Sequence, residues 1–201
     1  MINEKDIIYI ELDKSELDEC IDVAKYLSRH IIDRDDLHKR DDLERFINVL
    51  MGEVAEQMVI KWLHNNGKKA NSTVNKTTTK PDLGHDIQVH KKEDDSALLC
   101  SVKSSISYKL DINGVLNICK LATKKSELRD INIQVYFWLV LEPKKDESRV
   151  TVPSLRQAAI IGWFGKNDLL KFSTYNHELR ETPLEPLRTG RTMNSLLQRL
   201  Q

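Results

Sequence analysis

The run at residues 131–141, INIQVYFWLVL, restricts the fold more than any other stretch of the chain. It is rich in β-branched and aromatic residues and carries no charged side chain. Such a run predicts a strand buried within a sheet rather than one with a wet face.

The segments before it predict what surrounds that strand. Residues 6–12 (DIIYIEL) predict a short strand, and Asp13 offers an N-cap for a helix over 15–32. In that helix Leu17, Ile21, Ala24 and Leu27 recur at helical spacing. The charged stretch 33–42 predicts a solvated connection. A long helix follows over 43–65. Its apolar residues Phe46, Ile47, Leu50, Val54, Met58, Val59, Trp62 and Leu63 point in most directions, which predicts burial. Asn65, Asn66 and Gly67 supply its C-terminal chemistry.

Residues 68–80 are polar and basic, and predict a loop or a ragged strand. Residues 86–90 (DIQVH) and 97–103 (ALLCSVK) predict a hairpin around a polar turn at 91–96. The segment 104–130 is mixed and predicts a helix somewhere within it. A further β-rich stretch covers 150–152 and 160–164, after a turn at 144–148. The last thirty-odd residues predict a loop and a short terminal helix. Trp62, Trp138 and Trp163 lie in apolar runs and are assigned to the core. This order predicts an α/β domain, a mixed central sheet flanked by helices, with all of 1–201 in one unit.

Bulk properties exclude several classes. Lys plus Arg and Asp plus Glu both total 31, so nucleic-acid binding would have to come from a local patch rather than from net charge. No stretch approaches the roughly 18 apolar residues of a membrane helix, and the first residues do not form a secretory signal. Cys20, Cys100 and Cys119 are odd in number and widely spaced, which predicts reduced thiols and a cytoplasmic setting. The histidines show no HExxH or His-x-His pairing, which argues against a zinc hydrolase.

The hairpin carries the chemistry. Asp86, Gln88 and His90 share one face of the first strand; Leu99, Ser101 and Lys103 share one face of the second. With the turn centred near Asp94, Asp86 lies opposite Ser101, and Lys103 sits near Asp86 at the open end. A one-residue slip would undo that placement. A carboxylate and a lysine so placed suit phosphodiester cleavage. The acid holds a divalent cation, and the lysine orients water or stabilises developing charge. Oxygen ligands favour Mg2+. One acid makes a weak site, and the long helix offers Glu53 and Glu56 as neighbours on one surface. Gly52, one turn before Glu56, predicts close approach of the helix to another element. Asp82 is the rival to Asp86, but lies between Pro81 and Gly84 in loop chemistry.

Gly52-x-x-Ala55-Glu56 on a helix, Pro81-Asp82-Leu83-Gly84-His85-Asp86-Ile87, and Ser101-Val102-Lys103-Ser104-Ser105 at a strand end together resemble the PD-(D/E)xK nucleases. That superfamily includes many type II restriction enzymes, Holliday-junction resolvases and Mrr-like enzymes. The resemblance covers about residues 43–142. It implies a restriction endonuclease-like fold, Asp86 as metal-binding acid, Lys103 as motif lysine, and Glu56 as helix-borne acid. It also implies the Val102 carbonyl as a further ligand. Ser101 departs from the commonest pattern, which has an acid there. Some restriction enzymes of the superfamily also carry Ser and recruit an acid from a helix, a role open here to Glu56 or Glu53.

The expectation is therefore a Mg2+-dependent DNA endonuclease, with Mn2+ as a substitute, most plausibly a type II restriction enzyme acting as a homodimer on double-stranded DNA. The alternatives are a structure-selective or Mrr-like nuclease, and a catalytically inactive DNA-binding protein of the same fold. Phosphate contacts are expected from Lys68, Lys69, Lys76, Lys80, Ser104 and Ser105, and recognition or dimerisation from the C-terminal third.

Overall fold

The structure, a computed structural model, describes residues 1–30, 41–73, 86–91, 96–107, 109–121, 123, 127–138, 155–172 and 186–201. Residues 33–40 of the connection expected over 33–42, and the turn and strand over 144–152, lie outside the described residues, as do Asp82, His85, Lys76 and Lys80; Asp41 and Asp42 instead cap and begin a helix.

Six strands form one mixed sheet: β1 (Ile8–Glu11), β2 (Ala70–Ser72), β3 (Ile87–His90), β4 (Ala97–Ser107), β5 (Ile131–Trp138) and β6 (Gln157–Gly165), in the order β1-β6-β5-β4-β3-β2. Only β4 and β5 pair in parallel; the other neighbours are antiparallel. β5 is central, and residues 131–137 are all buried. The strand expected from the apolar run is therefore present, buried on both sides.

Two cores explain that burial. Ile131, Ile133, Val135 and Phe137 pack with α1 (Lys14–His30), α2 (Asp42–Asn65) and α5 (Met193–Arg199). On the other face Tyr136 joins Ala159, Ile161 and Phe164 under α3 (Ile112–Ile118) and α4 (Lys166–Phe172), which contribute Val115, Leu116 and Leu169. The sheet is thus sandwiched between helices, a mixed α/β arrangement. No helix among the described residues is long and apolar enough to cross a membrane. All three cysteines are free thiols.

Local chemistry sets the helix ends. Asp13 Oδ1 accepts from Glu16 N at 2.9 Å while Glu16 Oε2 accepts from Asp13 N at 2.7 Å, a reciprocal capping box. Asp41 caps α2 by accepting from Glu44 N at 2.7 Å. α2 ends where Gly67 adopts φ 69°, a left-handed conformation that suits glycine. Along α2, Val54, Ala55, Met58, Val59 and Leu63 are fully buried, as its apolar pattern predicts.

Gly162 stands where β6 slips register against β5 between Gln134 and Val135. A Cβ there would meet Ile2 and would come within 2.5 Å of the Arg191 carbonyl. The glycine lets the C-terminal segment close onto β6, where Trp163 N donates to Arg191 O at 2.9 Å. Trp62 and Trp163 are buried as expected, whereas the side chain of Trp138 lies outside the described residues.

Gly52 corrects an expectation. It is exposed, and a Cβ added to it would meet nothing within 4 Å among the described residues. No close approach explains it; the helix carries the glycine on its solvent side. Gly52→Ala should therefore stabilise the fold by about 0.5–1 kcal/mol through reduced backbone entropy of the unfolded chain. Urea denaturation checks this, and a destabilised variant would refute the open placement of Gly52.

Candidate active site

The geometry of β3 and β4 decides what the hairpin can do. Ile87 pairs with Cys100 and His90 with Ala97, so continuing the register sets Asp86 opposite Ser101. The ladder has the expected register, but Asp86 lies past its last pair. β4 runs to Ser107 rather than ending at Lys103, and outruns β3 at its open end. Beyond Cys100, no described strand pairs with β4 on that side. Asp86 occupies the first position past the ladder. Its own N–H donates to the Cys100 carbonyl at 2.9 Å, and its Oδ2 accepts from Val102 N at 2.6 Å. A carboxylate thus takes the backbone donor that a neighbouring strand would otherwise satisfy. In a strand the N–H and C=O of one residue point the same way, so the Val102 carbonyl also opens toward Asp86.

Glu56 approaches from α2. It is buried, at 4% exposure, in a helix whose surroundings are largely apolar. The Cys100 thiol reports on both acids. Burial pushes its pKa well up, and the charges of Asp86 and then Glu56 push it further. Both carboxylates thus lie within electrostatic reach of Cys100, one beside the hairpin and one on α2. Glu53 does not share that position. It is buried too, accepts from Gln57 Nε2 at 3.2 Å, and lines a cavity of about 410 Å3 between α1 and α2 with Glu16, Lys61 and His64. Of the two helix acids, Glu56 is the one placed beside the hairpin.

Lys103 faces the other way. Strand alternation puts Ser101, Lys103 and Ser105 opposite to Cys100 and Val102, on the face away from α2. The Lys103 ammonium pairs with Glu127 Oε2 at 2.8 Å. Ser101 is 1% exposed, and its Oγ has no hydrogen-bond partner among the described residues. Ser105 Oγ accepts from Gln134 Nε2 at 3.2 Å, and Ser104 is half-buried. Lys68 donates to the Leu200 carbonyl at 3.0 Å, tying the end of α2 to the end of α5, while Lys69 is exposed.

The sequence reading missed Glu127 and Asp130. Asp130 Oδ2 accepts from Leu99 N at 3.1 Å, across from Asp86 on the other edge of β4. Both acids lie just before β5, and their position at the entrance of the central strand was the available signal. What hid it was the parallel pairing of β4 with β5, which brings that entrance alongside Leu99 to Lys103.

Among the described residues, no group of three or more His, Cys, Asp or Glu side chains is gathered to hold a metal ion. Asp86 and Glu56 both act electrostatically on Cys100, and Asp86 meets the edge of β4 that carries the Val102 carbonyl. Comparison of the chain with protein-family models, curated proteins and solved structures finds no match.

Cys100 offers a direct check on this environment. Because its pKa is higher in the folded chain, its stabilising contribution is fully present below about pH 8.5 and is lost as pH rises beyond that. In the native protein Cys100 should resist alkylation by iodoacetamide through that range and react once urea unfolds the chain. Rapid native-state alkylation of Cys100, read by peptide mass spectrometry, would contradict the buried site described above.

Proposed function

We propose that this protein is a Mg2+-dependent endonuclease that cleaves phosphodiester bonds of double-stranded DNA, as a type II restriction enzyme acting as a homodimer. The observation that carries the reading is Asp86, held at Val102 N where β4 outruns β3, with Lys103 next along that strand. Glu56, a buried carboxylate whose charge reaches Cys100 as that of Asp86 does, supports it further. The restriction endonuclease-like fold belongs to the same proposal, and the mixed sheet between helices is compatible with it.

The donor set fits a hard cation in kind: two carboxylates and a main-chain carbonyl, all oxygen. Asp86 and Glu56 would hold Mg2+, with Mn2+ as substitute, and the Val102 carbonyl would complete the protein's share. The ion supplies charge stabilisation at the phosphate and a water of lowered pKa. The chain's own part is to place charge and hydrogen bonds. Val102 N orients the Asp86 carboxylate. The Lys103 ammonium donates to the attacking water or to a phosphate oxygen. Ser104, Ser105 and Lys69, with Lys76 and Lys80, supply phosphate contacts. Lys68 would have to leave the Leu200 carbonyl to join them. In a homodimer two such centres act on the two strands of a symmetric site.

A second reading has its own support. Ser101 stands where an acid would complete the ligand set, and Lys103 is already held by Glu127. Both features suit a protein that binds DNA without cutting it. Mg2+ titration followed by calorimetry separates the two, because a non-catalytic binder gives no metal-dependent heat and no cleavage with Mg2+ or Mn2+. Sequencing of digested ends separates a restriction enzyme, with one recurring end sequence, from a structure-selective or Mrr-like nuclease.

On the nuclease reading, Asp86→Asn and Lys103→Ala each lower cleavage of plasmid DNA by about a hundredfold or more while leaving the circular-dichroism melting curve cooperative. Full activity in either variant defeats the assignment of that residue.

A further inference from the structure

We propose that Glu127 is a positioning residue for Lys103, anchoring the ammonium at the edge of the candidate site in place of the acid that position 101 lacks. The inference rests on the nuclease reading for its catalytic consequence, but its structural half stands on its own.

Lys103 has four rotatable side-chain bonds, and holding such a chain in one place costs rotamer entropy. On its own face of β4 the neighbours two residues away are Ser101 and Ser105, neither of which carries charge. An acid at position 101 would stand one strand repeat from the lysine and could hold it. Ser101 cannot; its hydroxyl is buried and has no hydrogen-bond partner among the described residues. The charge arrives from elsewhere in the chain. Glu127 precedes β5, β5 pairs in parallel with β4, and Ser101 to Lys103 lie beside Asn132 to Gln134. That pairing carries the segment before β5 back toward Lys103, where the Nζ–Oε2 distance is 2.8 Å.

The pair is neither deeply buried nor fully wet. The lysine side chain is 28% and the glutamate 14% exposed. Such a pair restrains a side chain without locking it, because the exposed ammonium can still add a water or phosphate contact to the one it makes with Glu127. The glutamate would then act through the lysine, on where its charge sits, and not by touching the substrate. Glu56 lies on α2, on the other side of β4 from Lys103, so the two acids would divide the work: Glu56 toward the cation, Glu127 toward the lysine.

The test uses the full-length chain and the variants Glu127→Gln and Glu127→Asp. Reductive methylation of Lys103, followed by peptide mass spectrometry, reads the anchoring without reference to activity. Labelling should be several-fold faster in Glu127→Gln and intermediate in Glu127→Asp. Mg2+ affinity by calorimetry should be unchanged in both. For cleavage of duplex DNA, kcat in Glu127→Gln should fall between about ten- and about a hundredfold with KM little altered, and Glu127→Asp should recover part of it. Unchanged Lys103 labelling in Glu127→Gln overturns the proposal. So does a loss of Mg2+ affinity without a change in labelling, which would make Glu127 a ligand instead. A wild-type protein that cuts no DNA with Mg2+ or Mn2+ refutes the nuclease reading, and the labelling result still decides the anchoring. If Glu127→Gln does not fold, Glu127→Asp decides it, since the shortened carboxylate must also raise labelling.

Discussion

The parallel pairing of β4 with β5 is the constraint on which the rest of the structure depends. Parallel neighbours cannot be joined by a tight turn; the chain must leave the sheet and return at the same end. Here the crossover contains α3, and α3 lays Val115 and Leu116 over the face that α2 leaves uncovered. The central strand then has an apolar layer on each side. Residues 131–137 are buried because both layers exist, and both layers persist because β5 offers side chains to each.

The same pairing builds the candidate site. β4 is long because β5 accompanies it to Ser107, whereas β3 accompanies it only from Ala97 to Cys100. The mismatch leaves one edge of β4 without a strand neighbour among the described residues, and Asp86 fills the first gap by accepting from Val102 N. On the opposite edge Asp130 accepts from Leu99 N. Two carboxylates therefore close backbone positions on either side of one strand, and Glu127 closes a side chain on its face. A site at such a strand end combines a rigid backbone with groups that can exchange partners. That combination suits reaction chemistry better than a fully paired sheet would.

Much of this was legible in the residues themselves, and the reasons are local. The run before Trp138 could be assigned to a central strand because no charged residue interrupts it. The capping box at Asp13 and Glu16 and the glycine at Gly67 marked helix ends through chemistry confined to a few neighbours. The hairpin register followed from alternation and turn length, which is why Ile87 to His90 pair with Ala97 to Cys100 as expected. Gly52 misled because a helical glycine has two explanations, close approach or mere exposure, and only the surroundings distinguish them. Glu53 and Glu56 are likewise neighbours in sequence and indistinguishable by type. Their separation into a groove beside α1 and a position beside Cys100 depends on how α2 is rotated against the sheet.

The sequence by itself determined the α/β class, the central strand, the long buried helix, and the register of the β3–β4 hairpin. Each depends on periodicity or on contacts between residues close in the chain. The tertiary structure alone decided that Glu56 rather than Glu53 approaches the hairpin, that Lys103 turns away from α2, and that Glu127 meets it. Those outcomes join residues 24 or more positions apart, and side-chain type does not encode the relative placement of the elements that carry them. The Asp86–Lys103 hairpin is therefore a local property of the sequence, whereas the acids around it are a property of the fold.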